Sequence, residues 1–292
     1  MTDYTEAIRL KPDDAEVFYS RARARRTKRD FDGALQDYTE AIRLKPDYAD
    51  AFSGRGYSRQ AKGDLDGALQ DYTEAIRLNP NNAGAFNDRG LVRQAKGDLE
   101  GALQDYTEAI RLELDFAPAF YNRGLAREAK GDLDGALQDF TEALWLMPNN
   151  ADAFSNRGNA RQAKGDLEGA LQDYGEAIRL RPDNAATFYN RALALRRKGD
   201  LDGALQDYTE SIRLKPDDAD VFNNRGVARQ AKGDLDEALQ DYTEAIRLKP
   251  DYALAFKNRA DARQAQGDLE GAQRDCDEAD RIQKQSRPAG EN

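Results

Sequence analysis

Apolar residues recur along the chain in two alternating patterns of helical spacing, and the pair of patterns repeats every 34 residues. In the first, Ala51, Phe52, Arg55, Gly56 and Arg59 share one face and predict a helix, A, that is short of apolar side chains. In the second, Leu65, Ala68, Leu69, Tyr72, Ala75 and Ile76 form one stripe and predict an amphipathic helix, B. Gly63 between them suits a left-handed turn, and Asp64 stands where it can cap helix B at once. Prolines at 12, 46, 80, 148, 182, 216 and 250 end the B helices, and the Asp or Asn that follows (Asp47, Asn81, Asp183) is the expected N-cap of the next A helix. Eight units fit this grid: 15–48, 49–82, 83–116, 117–150, 151–184, 185–218, 219–252 and 253–286. A B-type half unit, 1–14, precedes them and a tail, 287–292, follows. Neither helix can bury its own apolar surface, so the expected fold is all-α: a single solenoid over 1–286 in which each unit covers its neighbour.

These residues carry a family resemblance. Phe52-x2-Arg55-Gly56-x2-Arg59, then Ala68-x3-Tyr72 and Pro80, resembles the tetratricopeptide repeat, and the likeness covers essentially 1–286. It implies a right-handed superhelix of antiparallel helix pairs, with A helices lining a concave groove and B helices outside. Known members mostly bind peptides or proteins and hold assemblies together.

The departures from the family pattern are systematic. Arg21, Arg55, Arg89, Arg123, Arg157, Arg191, Arg225 and Arg259 form one column, and Arg25, Arg59, Arg93, Arg127, Arg161, Arg229 and Arg263 a second, where the family has apolar or aromatic residues. Helix B offers one aspartate per unit, Asp37, Asp71, Asp105, Asp139, Asp173, Asp207, Asp241 and Asp275. The first arginine column is expected to pair with these acids; the alternative is guanidiniums solvated along the groove wall.

Differences between the copies point to where function resides. Gln70, Thr73, Glu74 and Arg77 of helix B barely change from unit to unit, whereas helix A varies most in two columns. One runs Arg23, Tyr57, Leu91, Leu125, Asn159, Leu193, Val227, Asp261, and the other Tyr19, Ser53, Asn87, Tyr121, Ser155, Tyr189, Asn223, Lys257. The family geometry turns both toward the groove, so the asymmetry favours a groove that reads a ligand; chance differences after recent duplication are the alternative. A further column stays constant late in the chain: Asn122, Asn156, Asn190, Asn224 and Asn258. An amide donates and accepts, so it can hold a peptide backbone. The column resembles the asparagine ladder of O-linked N-acetylglucosamine transferases; the other reading is an amide that bonds its own helices. The expected peptide-binding set is these asparagines with Tyr19, Tyr57, Tyr121, Tyr189, Leu91, Leu125, Leu193, Arg23 and Arg26. Recognition of a C-terminal dicarboxylate, which in the family needs groove lysines in consecutive repeats, is excluded because Lys257 is alone in its column.

Several features occur once. Arg21, Arg23, Arg25, Arg26, Lys28 and Arg29 make the first A helix basic, either to attract acidic peptides or phosphates or simply to pair with nearby acids. Pro118 replaces the missing grid proline inside the next helix, and Trp145 and Met147 stand on the side of helix B that should be exposed. Leu195 replaces an arginine in unit 185–218, where Arg196 and Arg197 are added. Gln273, Cys276 and Asp280 make the last B helix polar where other copies are apolar, as an end cap requires. The half unit leaves Tyr4, Ala7 and Ile8 partly uncovered, so the chain is either cut from a longer solenoid or forms a homodimer at that edge.

Composition narrows the chemistry. The chain has 44 Lys and Arg, 54 Asp and Glu, no histidine and one cysteine, which excludes His-dependent triads and dyads, His-containing zinc sites and an internal disulfide. No cofactor or metal is expected. Acidic residues recur in columns and form no single pocket, so catalysis is not expected. The longest apolar run, Ala143 to Met147, cannot span a bilayer, and the N-terminus lacks signal-peptide character. A cytoplasmic protein with neither nucleic-acid nor membrane partners is expected, the overall charge of −10 being repulsive to nucleic acid. The leading function is a non-catalytic scaffold for an extended peptide or partner segment; the alternative is self-assembly through the N-terminal edge or the Trp145 patch.

Overall fold

The computed structural model describes residues 2–285, among which there are seventeen helices and no strand. They fall into two compact units, Met1–Pro148 and Asn149–Asn292. The first unit holds α1 (Thr2–Leu10), α2 (Ala15–Thr27), α3 (Phe31–Leu44), α4 (Ala49–Ala61), α5 (Leu65–Leu78), α6 (Ala83–Ala95), α7 (Leu99–Leu112), α8 (Ala117–Ala129) and α9 (Leu133–Leu146). The second holds α10 (Ala151–Ala163), α11 (Leu167–Leu180), α12 (Ala185–Lys198), α13 (Leu201–Leu214), α14 (Ala219–Lys232), α15 (Leu235–Leu248), α16 (Ala253–Ala265) and α17 (Leu269–Gln285). Each unit is a stack of antiparallel A–B helix pairs, with α1 an additional B-type helix packed on α2. The tail 287–292 lies outside the described residues. No described helix is long and apolar enough to cross a membrane.

The A-to-B turn follows from two residues. Gly63 takes φ +83°, and the Asp64 carboxylate accepts from the Gly67 N–H at 2.9 Å, capping α5. The B-to-A turn corrects the expected cap. Pro46 and Asp47 are the middle of a turn closed by the Tyr48 N–H on the Lys45 carbonyl at 3.1 Å, so the helix starts one residue later than Asp47 requires. The caps are Asp14, Asn82, Asn150, Asn184 and Asp218, whose side chains accept from N–H groups of the following turn; Asp47, Asn81 and Asp183 do not serve. Tyr48 and Tyr252 occupy the cap position without capping and instead donate their hydroxyls to Glu16 and Asp220 of the preceding A helix, both at 2.5 Å.

The core is thin and repetitive. Ala68, Tyr72 and Ala75 of α5 are fully buried, as are their counterparts in the repeats from 15–48 to 219–252. The tyrosine lies directly on a glycine of helix A: a Cβ on Gly90 would stand 2.6 Å from Tyr106 Cε1. Pro118 sits in the first turn of α8, as expected, and Gln273, Cys276 and Asp280 face outward on α17.

Candidate functional site

The arginine columns do not line an open wall. Arg55 donates from Nε and Nη2 to Asp71 at 3.0 and 2.7 Å, and Arg59 donates from Nη1 to the same carboxylate at 2.9 Å and to the Gly67 carbonyl at 3.1 Å. Asp71 is only 3% exposed, so an acid that would be costly alone is held by two charge-assisted partners. The same arrangement recurs in the other repeats except 185–218, where Leu195 leaves Asp207 with Arg191 alone. Arg55 Cζ also lies 5.4 Å from the centre of the Phe52 ring, and Nη1 reaches Thr39 Oγ1 of the preceding B helix at 3.3 Å. The solvated alternative is thereby corrected: both columns are structural.

The variable A-helix residues are partly drawn into contacts between neighbouring repeats. Asn87 and Asn223 are buried, and Asn122 and Asn258 donate from Nδ2 to their Oδ1 atoms at 2.9 and 2.8 Å. Asn190 donates to Asn159 Oδ1 at 3.0 Å, and Asn224 to Tyr189 Oη at 3.1 Å and to the Asp220 carbonyl at 2.8 Å. Asn156 is half-buried in the same column. An amide has two N–H donors and a two-lone-pair acceptor, so each of these four retains bonding capacity beyond its interhelical contact. Tyr19, Tyr121 and Tyr189 lean on the B-helix rings of Tyr38, Phe140 and Tyr208, with centroids 5.9, 6.0 and 6.1 Å apart. Leu91 and Leu193 pack on the core edge, and Leu125 is half-buried. Arg23 and Tyr57 are exposed, and Arg26 places its guanidinium 4.8 Å over the Tyr57 ring.

A helix-A column of five glutamines broken by Arg26, Glu128 and Arg196 separates the repeats into classes. Gln60, Gln94, Gln162 and Gln230 accept from the hydroxyls of Tyr72, Tyr106, Tyr174 and Tyr242. At the equivalent position repeats 15–48 and 185–218 carry Arg26 and Arg196, and the hydroxyls of Tyr38 and Tyr208 are buried without a hydrogen-bond partner. Burial pushes both phenols up to about 12, with Arg26 and Arg196 respectively opposing the rise. Repeat 117–150 has Glu128 there, facing a phenylalanine, Phe140, that has no hydroxyl to offer. Burial alone raises the Glu128 pKa. Asp88, which occupies the asparagine column, is also raised by burial, against the pull of the Asn87 amide and of Arg26. A signal for Arg26, Glu128 and Arg196 was present as breaks in a column that is otherwise glutamine.

The first unit also contains two concavities. One, of about 600 Å³, is lined by Arg26, Thr27, Arg29, Phe31, Tyr57 and Ala61. The other, of about 310 Å³, is lined by Tyr4, Ser20, Arg23, Ala24 and Thr27. The first unit therefore offers A helices with a half-used amide, leaning tyrosines and a basic depression, and the second A helices with three half-used amides and a leaning tyrosine.

Such a fold and face define a protein-interaction module. The TPR repeat model matches residues 22–63, 60–97, 92–131, 127–165, 158–199 and 193–233, and the tetratricopeptide repeat model matches 219–252. The chain belongs to the tetratricopeptide repeat family, whose members are generally non-catalytic scaffolds that bind protein or peptide partners. Among solved structures it is similar to YrrB, described as a TPR protein with an unusual peptide-binding site, at 28% identity over 63% of this chain and 95% of that one, TM-score 0.57. A tetratricopeptide repeat protein from Parabacteroides merdae shares the fold at 19% identity over 89% of this chain and 98% of that one, TM-score 0.60. Cut9 in the APC/C Cut9–Hcn1 hetero-tetramer shares it at 16% identity over 89% of this chain and 51% of that one, TM-score 0.65. No curated protein matches the chain.

Proposed function

We propose that the chain is a scaffold that holds an extended peptide segment along the A-helix face, with the asparagine column bonding the ligand backbone and Tyr19, Tyr57, Tyr121, Tyr189, Leu91, Leu125, Leu193, Arg23 and Arg26 contacting its side chains. The observation that carries this reading is the asymmetry between faces. Helix B repeats its exposed Glu–Arg pairs, such as Glu74–Arg77 and Glu244–Arg247, almost unchanged, while the A face alternates asparagine, tyrosine, leucine and charge. Four asparagines spend an N–H on a neighbouring side chain; Asn122, Asn190 and Asn258 keep an oxygen and a second N–H for a ligand, and Asn224, which also donates to the Asp220 carbonyl, keeps its oxygen. The likeness to YrrB, a TPR protein with a peptide-binding site, adds support. The test is a random-peptide array probed with wild type and with an Asn190→Ala, Asn258→Ala variant. Binding falls by about tenfold with the circular dichroism unchanged; undiminished binding in a folded variant overturns the ladder.

A second reading, self-association of two copies through helix B of repeat 117–150, has one observation in its favour. Trp145 replaces the arginine of the Glu–Arg pair and is 78% exposed beside Met147 at 50%.

A further inference from the structure

Nearly every described arginine is paired with a carboxylate. The exceptions cluster at two equivalent places, Arg23, Arg26 and Arg29 at the end of α2 and Arg196 and Arg197 at the end of α12. The first place borders a depression of about 600 Å³ whose lining includes Arg26 and Arg29.

Arg29 is held there at a cost. It has φ +61°, and among the described residues it alone takes a positive φ without being glycine. Seven other repeats use a glycine at this position, from Gly63 to Gly267, where the left-handed conformation is free of Cβ strain. Arg26 likewise displaces the glutamine that elsewhere satisfies a buried tyrosine, leaving the Tyr38 hydroxyl unpartnered. Two nearby acids are already engaged: Asp30 caps α3 through the Gly33 N–H and lies against Arg25, and Asp32 pairs with Lys62. Asp88 faces Arg26 but makes no ion pair with it, its carboxylate accepting instead from the Asn87 amide at 3.2 Å. Arg26 and Arg29 thus both line the depression, and neither forms an ion pair with a carboxylate among the described residues.

We infer that this depression takes the phosphoryl group of a phosphorylated serine or threonine on the partner peptide, with Arg26 and Arg29 as its ligands. The inference rests on the peptide-scaffold reading. A phosphoryl group carries about −1.5 to −2 charge near neutral pH and three acceptor oxygens, which matches two forked, unpaired cations better than a single carboxylate does. The Tyr57 ring, which also lines the depression, restrains the Arg26 guanidinium by a contact of 4.8 Å.

The test uses the full chain with ¹⁵N-labelled arginine, titrated at constant ionic strength with N-acetylphosphoserine amide and N-acetylglutamate amide. The Nε–H signals of Arg26 and Arg29 shift saturably, and the phosphoseryl probe binds about tenfold more tightly than the glutamyl probe. Arg26→Gln with Arg29→Gly installs residues the chain itself uses at those positions, so the variant folds, and it loses phosphoseryl binding by about tenfold or more. No saturable shift, equal affinity for the glutamyl probe, or unchanged binding by the double variant overturns the inference. A phosphoserine-centred peptide library separates the two readings. Equal retention by wild type and double variant removes the phosphoryl pocket and keeps the peptide scaffold. Saturable shifts with no peptide retained keep the pocket and remove the scaffold.

Discussion

Asp241 accepts from Arg225 Nη2 at 2.7 Å and from Arg229 Nη1 at 2.8 Å while only 3% exposed, so one buried acid joins two arginines a helical turn apart. Removing the acid strands both cations. Asp241→Leu is expected to destabilise its repeat by about 3–5 kcal/mol, and adding Arg225→Leu and Arg229→Leu recovers most of that loss. Amide hydrogen exchange in α14 and α15 measures this locally, since a repeat array need not unfold in one step.

The tyrosines should respond differently to loss of the same atom. Tyr242 donates to Gln230 at 2.7 Å, whereas the Tyr38 hydroxyl is buried without a partner. Tyr242→Phe is expected to cost about 1 kcal/mol in urea unfolding, and Tyr38→Phe to be neutral or slightly stabilising. Repeat 117–150 already carries this solution as Phe140.

Arg29→Gly removes the left-handed strain and is expected to stabilise the first unit by about 1 kcal/mol, read as a raised thermal midpoint. An unchanged or lowered midpoint would mean that the Arg29 side chain stabilises the turn by a contact as large as the strain.

Asp88 gives the stability profile a defined sign. Burial raises its folded-state pKa above the unfolded value, so ionised Asp88 costs stability at neutral pH, and the cost fades as pH falls through the folded pKa. Asp88→Asn is therefore expected to be more stable than wild type at pH 7, with the gap closing in acid. Urea midpoints across that range check the direction.

Trp145 is the single tryptophan and lies on helix B, away from the A-helix face. Its emission is expected to be that of a solvated indole and to stay unchanged when a peptide occupies the A face. A blue shift that grows with protein concentration would support self-association instead.

Helix number, order and phase were legible in the sequence because a 34-residue period superposes eight versions of the same signal. Pairing of the first arginine column was legible too, since an arginine and an aspartate with matching periods must meet. The cap register was not: whether the residue after proline starts the helix depends on a backbone bond between Tyr48 and Lys45, which composition does not encode. Convergence of Arg59 on the same Asp71, and of Asn122 on Asn87, escaped because helical periodicity fixes the face of a side chain but not the neighbour it meets across a gap. Arg26 was legible as part of a basic helix, but its displacement of the tyrosine-bonding glutamine, like that by Glu128, shows only where Gln60 meets Tyr72 across two helices.

The ion triads have a genetic consequence. Arg55, Arg59 and Asp71 all lie within one 34-residue period, and the neighbouring repeat contributes only the Thr39 hydroxyl, which nearly every B helix supplies. Each period holds its own triad, so in-phase gain or loss of one by unequal exchange leaves no buried aspartate without its arginines. The Arg26–Tyr57 contact straddles two periods, and that junction cannot be exchanged without losing the basic depression.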